Sequence, residues 1–551
     1  MTSRLDSAAP LALGLALIAL MMAPVLGDWT GSALGIACDT APSDMWSLWS
    51  WASPASGSTH MGFPGPTTAA DLVSPGAVII FGALMTFMGP VASWNTAVLL
   101  AMIVLLLGTL DLARRILPNA APVSRATLVI AVVGTAAWSP LIRHAGVSAI
   151  PMAFTPLALT LIDRWIQPDA PRRWGVLAGL ASTMCMLGHW ATTVFTMAIL
   201  LPMVVIQCRN LEGHQVWRRA TTALLPGLLL GGLHVATQAH AATGLDIDAA
   251  QLAPAWIHQI ESALALPATA AAALPSLGIL LLALAGVAAR PLQSAGWLLV
   301  AAWGILLAAG LSPDGLGGWS PAHQLADRLP GLQHLGAWWG IAPLVALPMG
   351  LSAMIGVDVL QRVRRDRLAM GVLAMAILDQ SLPSFTTTTA QSFEHRPPMG
   401  VMTALSNLGP GAVLQLPAQD ESQCRTASMH RLWQRVHDRP VSTAQPDGED
   451  GAVSVSYVAR VAQDHQGLAT PASKDSPIDP DVYRCAVADL KTLTDLGFAA
   501  VVLDHQAGAP ERLSDTLTLL LGEPHYTDDL ASVWPLTPPE TPPEPCPLPE
   551  I

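Results

Sequence analysis

Apolar stretches of about 20 residues, each long enough to cross the hydrocarbon core of a bilayer as a helix, recur along the first 380 residues. The chain is 52% hydrophobic and 12% charged, whereas a soluble domain carries about 25% charged residues. The sequence therefore predicts a polytopic α-helical membrane protein. The eleven predicted transmembrane helices cover 10–27, 93–113, 124–141, 146–163, 174–190, 191–208, 220–237, 273–289, 295–311, 339–357 and 367–380.

The arginines predict the orientation. If the N-terminus is cytoplasmic and the ambiguous run 74–90 is an interfacial helix, 15 arginines face the cytoplasm and only Arg143 and Arg328 lie in outer loops. Counting 74–90 as a short span would invert every later helix unless the N-terminus moved outside. Tryptophans fit the first orientation as interfacial belts. They are Trp165, Trp174 and Trp217 at inner ends, and Trp138, Trp190 and Trp339 at outer ends.

Charge separates a second region from the membrane body. Residues 1–378 carry 17 Lys and Arg against 16 Asp and Glu, while 379–551 carry 10 against 23. This acidic tail makes nucleic acid an unsuitable partner. The predicted domains are a membrane domain at 1–380, with an outer loop at 28–92 that carries juxtamembrane helices, a soluble extracytoplasmic α/β domain at 381–534 and a proline-rich tail at 535–551.

Short β-rich runs predict strands in the soluble domain, at 411–417, 452–461 and 498–504. Apolar residues at helical spacing predict a helix over 481–497 that ends at Gly497. Among the cysteines, Cys424 and Cys485 are the candidate disulfide pair, and free thiols are the alternative.

The stretch "DMWSLWSW" at 44–51 is the first candidate site. Trp46 and Trp49 are three residues apart and share a helical face, and Asp44 lies near the helix start. Indole rings at the headgroup level would hold Asp44 where its carboxylate could act as a general base toward an acceptor hydroxyl. In the simpler interpretation the tryptophans anchor the loop and Asp44 caps the helix.

His189 and His234 end two predicted spans on the outer side, and Arg143 and Arg328 are the basic residues of the outer loops. The arginines are candidate contacts for a lipid phosphate, and a surface ion pair such as Arg328 with Asp327 is the alternative. The histidines could bind phosphate or a divalent metal, but they lack the spacing of a known metal motif. A metal cofactor therefore stays open. The sequence carries no Walker loop, nucleophile elbow or zinc framework.

Several segments resemble the GT-C superfamily of membrane glycosyltransferases, in particular a poorly characterised bacterial branch with a periplasmic C-terminal domain. They are "SDMWSLWSW" (43–51), "PVASWN" (90–95), the stretch 136–165, "ADRLPGLQHLGAWWGIAPL" (326–344), "RLWQRVHDRPVS" (431–442) and "LTDLGFAAVVLD" (493–504).

The resemblance implies an enzyme of the bacterial inner membrane. It would transfer a sugar from a polyprenyl-phosphate-linked donor to a cell-envelope acceptor at the outer face. In that family a first-loop acid acts as the base or binds a metal, and Asp44 matches that position, with Asp28 as the backup. The sequence departs from the family because no second acid stands beside Asp44. The alternative is a non-catalytic scaffold or a transporter, such as a flippase, of envelope precursors.

Overall fold

The computed structural model describes most of the membrane body and parts of the C-terminal region. The described residues are 2–35, 40–52, 60–61, 67–68, 74–135, 138, 141, 149–209, 213–238, 276–308, 320–328, 338–386, 392–394, 397–416, 433–441, 491, 493–505 and 511–537.

Helices dominate the described part of the chain. In chain order they are α1 (Thr2–Met22), α2 (Thr40–Ala52), α3 (Pro75–Met85), α4 (Pro90–Ile116), α5 (Pro122–Val133), α6 (Thr155–Ile166), α7 (Arg172–Met186), α8 (Trp190–Arg209), α9 (His214–Gln238), α10 (Leu277–Ala289), α11 (Pro291–Ala308), α12 (Pro321–Arg328), α13 (Ala342–Arg362), α14 (Asp366–Thr386), α15 (Met399–Asn407) and α16 (Glu511–Leu521).

Strands are short and concentrate near the C-terminus. They are β1 (Ser32–Leu34), β2 (His60–Met61), β3 (Thr67–Thr68), β4 (Ser392–Glu394), β5 (Ala412–Leu416), β6 (Phe498–Asp504), β7 (Tyr526–Thr527) and β8 (Ala531–Pro535).

Among the described residues, six helices are long and apolar enough to cross a membrane, so the chain is a helical membrane protein. They are Ala8–Val25, Pro90–Ile116, Trp190–Arg209, His214–Gln238, Pro291–Ala308 and Ala342–Arg362. The apolar helices α3, α5 and α10 are shorter. Prolines begin α3 and α5, where the missing N–H costs no helical hydrogen bond.

Helix α13 is the core of the membrane body. Every residue from Ala342 to Asp358 is buried, and α5, α8, α10, α11 and α14 all pack against this helix. A helix that is apolar and buried on every side has to lie inside a bundle.

Helices α10 and α13 pack closely against each other at two glycines. A Cβ on Gly356 would lie 2.0 Å from the carbonyl oxygen of Leu282, and a Cβ on Gly286 would lie 2.4 Å from that of Ser352. Small residues at a contact between two helices allow the helix backbones to approach closely in a membrane.

One end of the bundle, which we call the arginine end, holds charged side chains in ion pairs. It comprises the C-terminal turns of α4, α6, α8, α10 and α13 and the N-terminal turns of the helices that follow them. Arg219 also donates to the carbonyl oxygens of Gln167 and Pro168. The ion pairs are Arg115–Asp163, Arg164–Asp111 (2.6 Å), Arg290–Asp358 (3.1 Å) and Arg362–Asp358 (2.9 Å).

The predicted tryptophan belts need correction at the opposite end. Trp138 and Trp190 are each 1% exposed, so they are core residues and cannot reach the headgroups. The Trp138 indole donates to the Val132 carbonyl oxygen at 2.7 Å, which explains how its polar atom is buried without cost. At the arginine end, guanidinium groups lie over the rings of Trp165 and Trp174.

A second compact unit is built from two distant segments, Ile36–Leu72 and Glu394–Ile551. Its sheet has the order β5-β6-β8-β7, with β5 parallel to β6 and the other pairs antiparallel. Alternate residues form two apolar clusters, one that includes Leu405 of α15 and one that includes Leu517 of α16. Both faces of the sheet are therefore covered, which explains why β6 reads as a continuous apolar run.

The strands predicted at 411–417 and 498–504 are confirmed as β5 and β6. Gly497 follows the helical residues 493–496 with φ +102°, a conformation that glycine adopts without strain. The strand at 452–461, the pair Cys424 and Cys485 and most of the helix at 481–497 lie outside the described residues.

Candidate functional site

The segment that follows α1 is fastened to the first turns of α4. The Asn95 side chain accepts from the Leu34 N–H at 3.0 Å and donates to the carbonyl oxygens of Trp29 (3.0 Å) and Ser32 (2.8 Å). The Trp94 indole donates to the Leu34 carbonyl oxygen at 2.8 Å. Since Asn95 is fully buried, these bonds fix the chain where it leaves the first helix. The sequence pattern gave no role to Asn95, and its only signal was an amide near a proline-started helix.

Asp28 occupies a turn in this segment. Its Oδ1 accepts from the Gly31 N–H at 3.1 Å, and its carbonyl oxygen accepts from the Ser32 N–H at 2.9 Å. A Cβ on Gly31 would lie 2.4 Å from Asp28 Oδ2. The carboxylate is half-buried and shapes the backbone, so a structural role accounts for the observed contacts.

The stretch "DMWSLWSW" lies in α2, as expected, and belongs to the second unit. Trp46 is fully buried, so the prediction that its indole rides at the headgroup level is wrong. Trp49 is half-buried, with the Arg435 guanidinium 5.9 Å from its ring centroid. The helix backbone contains Asp44, whose side chain is outside the described part. The packing shows that α2 is part of a folded unit.

The second candidate region is the end of the membrane body where α7 and α9 end and α8 begins, which we call the histidine end. Here the Gly76 N–H in the first turn of α3 donates to the Leu187 carbonyl oxygen at 2.7 Å. A Cβ on Gly76 would lie 2.9 Å from that oxygen, so α3 is docked closely beside the chain that leads into His189. With 11 residues, α3 is about 16 Å long, close to α5 and α10 with 12 and 13 residues, so its length fits both a short span and an interfacial helix.

His189 and His234 meet at this end, as the sequence pattern suggested. Burial, with a smaller contribution from His234, lowers the pKa of His189 to about 4. The His189 ring centroid is 6.0 Å from that of Trp190. The imidazole is therefore uncharged at neutral pH and can both donate and accept a hydrogen bond.

The facing surfaces of α8 and α9 extend the cluster. A Cβ on Gly231 of α9 would lie 2.9 Å from Met197 Cε and 3.1 Å from Thr193 Cγ2 of α8. Trp190 precedes Thr193 by three residues, and His234 follows Gly231 by three, so both lie on the faces in contact. Because the helices are antiparallel, both lie toward the histidine end.

Three polar atoms on these faces are buried without a hydrogen-bond partner in the described part of the chain. They are Trp190 Nε1, His234 Nε2 and Gln238 Oε1. The sequence pattern placed His234 at this end, and Gln238 follows His234 by four residues on the same helix. For Trp190 the pattern indicated only an anchoring role. Buried polar groups in native proteins are nearly always paired with protein, water or ligand, so this cluster is a binding-site candidate.

The predicted phosphate contacts are not brought together by the described residues. Arg143 lies outside them, and Arg328 is exposed at the C-terminal end of α12. The side chain of Asp327, its alternative partner, is also outside the described part. Likewise, no group of three His, Cys, Asp or Glu side chains that could hold a metal ion occurs among the described residues, and a metal cofactor stays untested.

Solved structures share this architecture. The arabinofuranosyltransferase AftD from mycobacteria aligns with 90% of this chain at 17% identity and a TM-score of 0.52. A mutant form of AftD aligns with 95% at 14% identity and a TM-score of 0.56. AftD is a membrane glycosyltransferase of GT-C fold. The fold of this chain is GT-C-like.

The alignments cover less than half of the AftD chain. The aligned region spans 35% of AftD in the first comparison and 41% in the second. ArnT from Cupriavidus metallidurans, solved with undecaprenyl phosphate, aligns over 96% of this chain and 97% of the ArnT chain. The identity is 12% and the TM-score is 0.39, so this similarity does not establish a shared fold. No family model and no curated protein matches the sequence.

Proposed function

We propose that this chain is an integral membrane glycosyltransferase that moves a sugar from a polyprenyl-phosphate-linked donor to a cell-envelope acceptor. The observation that carries the proposal is the fold shared with AftD across 95% of the chain. In the reaction, an acceptor hydroxyl loses its proton to a carboxylate and attacks the anomeric carbon. The carbon–oxygen bond to phosphate breaks, and polyprenyl phosphate leaves with the bonding electrons.

The proposed topology has eleven spans in the bacterial inner membrane, with the arginine end in the cytoplasm. The histidine end and the soluble domain at 381–534 then face outward. The clustering of ion-paired arginines at one end supports this orientation. Reporter fusions test it: green fluorescent protein after residue 212 should fluoresce, and alkaline phosphatase after residue 239 should be active. The reverse pattern would overturn the orientation.

Asp44 is the proposed general base, and Asp28 is the second candidate. Asp44→Asn in the purified chain should lower the transfer rate at least about 100-fold, because a positioned base contributes that much or more. Asp71→Asn, in the same loop, is the matched control and should keep full activity. Release of polyprenyl phosphate from a panel of polyprenyl-phosphate-linked sugars, measured by mass spectrometry, gives the rate.

Asp28 needs two variants because it also shapes a turn. Asp28→Asn keeps an oxygen that can accept from the Gly31 N–H, whereas Asp28→Ala removes it. If Asp28 acts only through the turn, the asparagine variant stays active and the alanine variant loses stability. Inactivity of a stably folded Asp28→Asn would instead make Asp28 the base.

Arg143 and Arg328 are the proposed contacts of the donor phosphate, and His189, His234 and Trp49 those of the sugars. Trp46 is fully buried in α2 and supports that helix. Full transfer by both Asp44→Asn and Asp28→Asn would refute the carboxylate mechanism. Absence of transfer by the wild type would favour the alternative, a scaffold or a transporter of envelope precursors.

A further inference from the structure

We propose that Trp190, His234 and Gln238 form a subsite for an uncharged sugar unit at the histidine end. The inference rests on the proposed function, since the sugar would belong to the donor or to the acceptor glycan. It adds a defined place and a chemical class of ligand, which the carboxylates of the first outer loop do not specify.

Three polar atoms at this end are buried without partners. Trp190 is 1% exposed, and its Nε1 has no partner in the described part of the chain, like His234 Nε2 and Gln238 Oε1. A buried polar group without a partner destabilises the fold unless water or a ligand pairs with it. The indole N–H can only donate, the amide oxygen can only accept, and a histidine nitrogen can do either. Sugar hydroxyls both donate and accept, so they match this mixed set.

The three groups lie close together on two neighbouring helices. His234 and Gln238 are four residues apart on α9, so they lie on one face and about 6 Å apart along the helix. Trp190 lies on the face of α8 that Gly231 meets. The three groups therefore line one side-by-side contact between two helices, over a length that fits a single sugar ring.

The cluster lies in surroundings without charged side chains. The described turns around it, 180–200 and 227–238, carry no Lys, Arg, Asp or Glu. Phosphate sites in proteins commonly use Arg or Lys, and here the N-terminus of α8 at Trp190 has no cationic side chain beside it among the described residues. The neighbouring His189 is uncharged at neutral pH, since burial lowers its pKa. A neutral ligand is the class that these surroundings stabilise.

The decisive variant is Trp190→Phe, which keeps the ring and removes only the N–H. Its matched control is Trp138→Phe, because the Trp138 indole is equally buried but already donates to Val132. Trp138→Phe should lower the melting temperature and leave ligand binding unchanged. Trp190→Phe should leave the melting temperature unchanged or raise it, and should weaken sugar binding.

Binding is measured on the full chain in lipid nanodiscs, since glycoside detergents would themselves present sugars. The probes are a short-chain prenyl-phosphate sugar, the same prenyl phosphate without sugar and a free neutral oligosaccharide. Trp190→Phe and Gln238→Leu should each weaken binding of a sugar-bearing probe about 2- to 13-fold, as expected for one neutral hydrogen bond. Neither should change binding of the sugarless phosphate. Which sugar-bearing probe responds identifies the donor or the acceptor as the source.

The outcomes separate the two proposals. Unchanged sugar binding in Trp190→Phe and Gln238→Leu, with transfer intact, would overturn the subsite and leave the proposed function standing. The cluster would then hold internal water only. Weakened oligosaccharide binding in a chain that transfers no sugar would keep the subsite and refute the enzyme. If Trp190→Phe fails to fold, sugar binding by Gln238→Leu tests the subsite in its place, since Gln238 lies at the half-buried end of α9.

Discussion

The two ends of the membrane body differ in the charge of the polar side chains that they bury. At the arginine end, charged side chains are matched with carboxylates, carbonyl oxygens and indole rings, as in the pairing of Asp358 with Arg290 and Arg362. At the histidine end, uncharged polar atoms such as Trp190 Nε1 and His234 Nε2 are buried without partners in the described residues. The arginine end is thus held by ion pairs, although Arg164 Nε and both amide atoms of Gln207 are also buried without partners in the described residues. The described turns of the histidine end carry no charged side chain.

The difference teaches where to look for function in such a fold. At the arginine end a ligand would have to compete with Asp111, Asp163 and Asp358 for the guanidinium groups that these carboxylates already pair. Unpaired groups persist only where something else compensates for them. Substitutions at the arginine end should therefore change stability, while those at the histidine end should change binding more than stability.

The largest expected effect is at the α10–α13 contact, which leads to the arginine end. In Gly356→Ala the new Cβ would lie 2.0 Å from the Leu282 carbonyl oxygen, so the two helices must separate. We expect a loss of about 3 kcal/mol or more, seen as a lower melting temperature and yield in detergent. Gly232→Ala is the control, because a Cβ there would meet no atom of the described residues within 4 Å. Equal behaviour of both variants would contradict the close packing.

The next effect is at the paired carboxylate. Asp358 is 4% exposed and contacts Arg290 and Arg362. Asp358→Asn leaves both guanidinium groups without a counter-charge and should cost about 2–4 kcal/mol of unfolding free energy. Asp366→Asn, an exposed change at the start of α14, should stay within about 0.5 kcal/mol. Chemical denaturation in detergent compares the two variants. If Asp358→Asn were as stable as the wild type, the proposed difference between the two ends would be wrong.

A smaller effect is expected where α4 holds the chain after α1. Asn95→Ala removes one acceptor and two donors from the buried backbone groups of Leu34, Trp29 and Ser32. The loss should be about 1–3 kcal/mol, measured by thermal unfolding. The control is Asn407→Ala, at an exposed residue. A melting temperature equal to that of the wild type would show that these bonds do not fasten the segment.

The smallest effect is the pH dependence at the histidine end. The folded state holds the pKa of His189 at about 4, below its ordinary value of 6.5. Between these values the unfolded chain binds a proton that the folded chain does not, so the contribution of His189 to stability is complete above pH 6.5 and is lost as the pH falls toward 4. Between pH 7 and pH 5 the melting temperature of His189→Asn should therefore fall by about 1–3 °C less than that of the wild type.

The control for this pH dependence is His214→Asn, at an exposed residue of α9, which should follow the wild type at both pH values. If the melting temperatures of all three proteins changed equally with pH, the result would indicate that His189 is accessible to solvent. That result would also weaken the argument that the cluster stays uncharged.

The sequence predicted what depends on local pattern. The continuous apolar run of Phe498–Asp504 predicted β6, and the length of Ala342–Arg362 agrees with a predicted span. Both follow from composition over neighbouring residues.

Features that depend on distant contacts could not be read from the sequence. A tryptophan at a helix end looks the same whether it faces lipid or core, so the burial of Trp190 was missed. The bonds of Asn95 reach residues more than 60 positions away, which no local spacing reveals. The grouping of α2 with the second unit has the same cause.

Because the second unit is built from two distant segments, it can complete its folding only late in synthesis. Ile36–Leu72 emerges early, yet the sheet of the unit it joins is complete only when β8 has left the ribosome. At about 5–20 residues per second, that interval lasts roughly half a minute to a minute and a half. Met45, Trp46 and Leu48, all fully buried in the folded chain, must stay apart from wrong partners while the intervening helices enter the bilayer. Until β8 is made, these three side chains lack the folded unit that buries them.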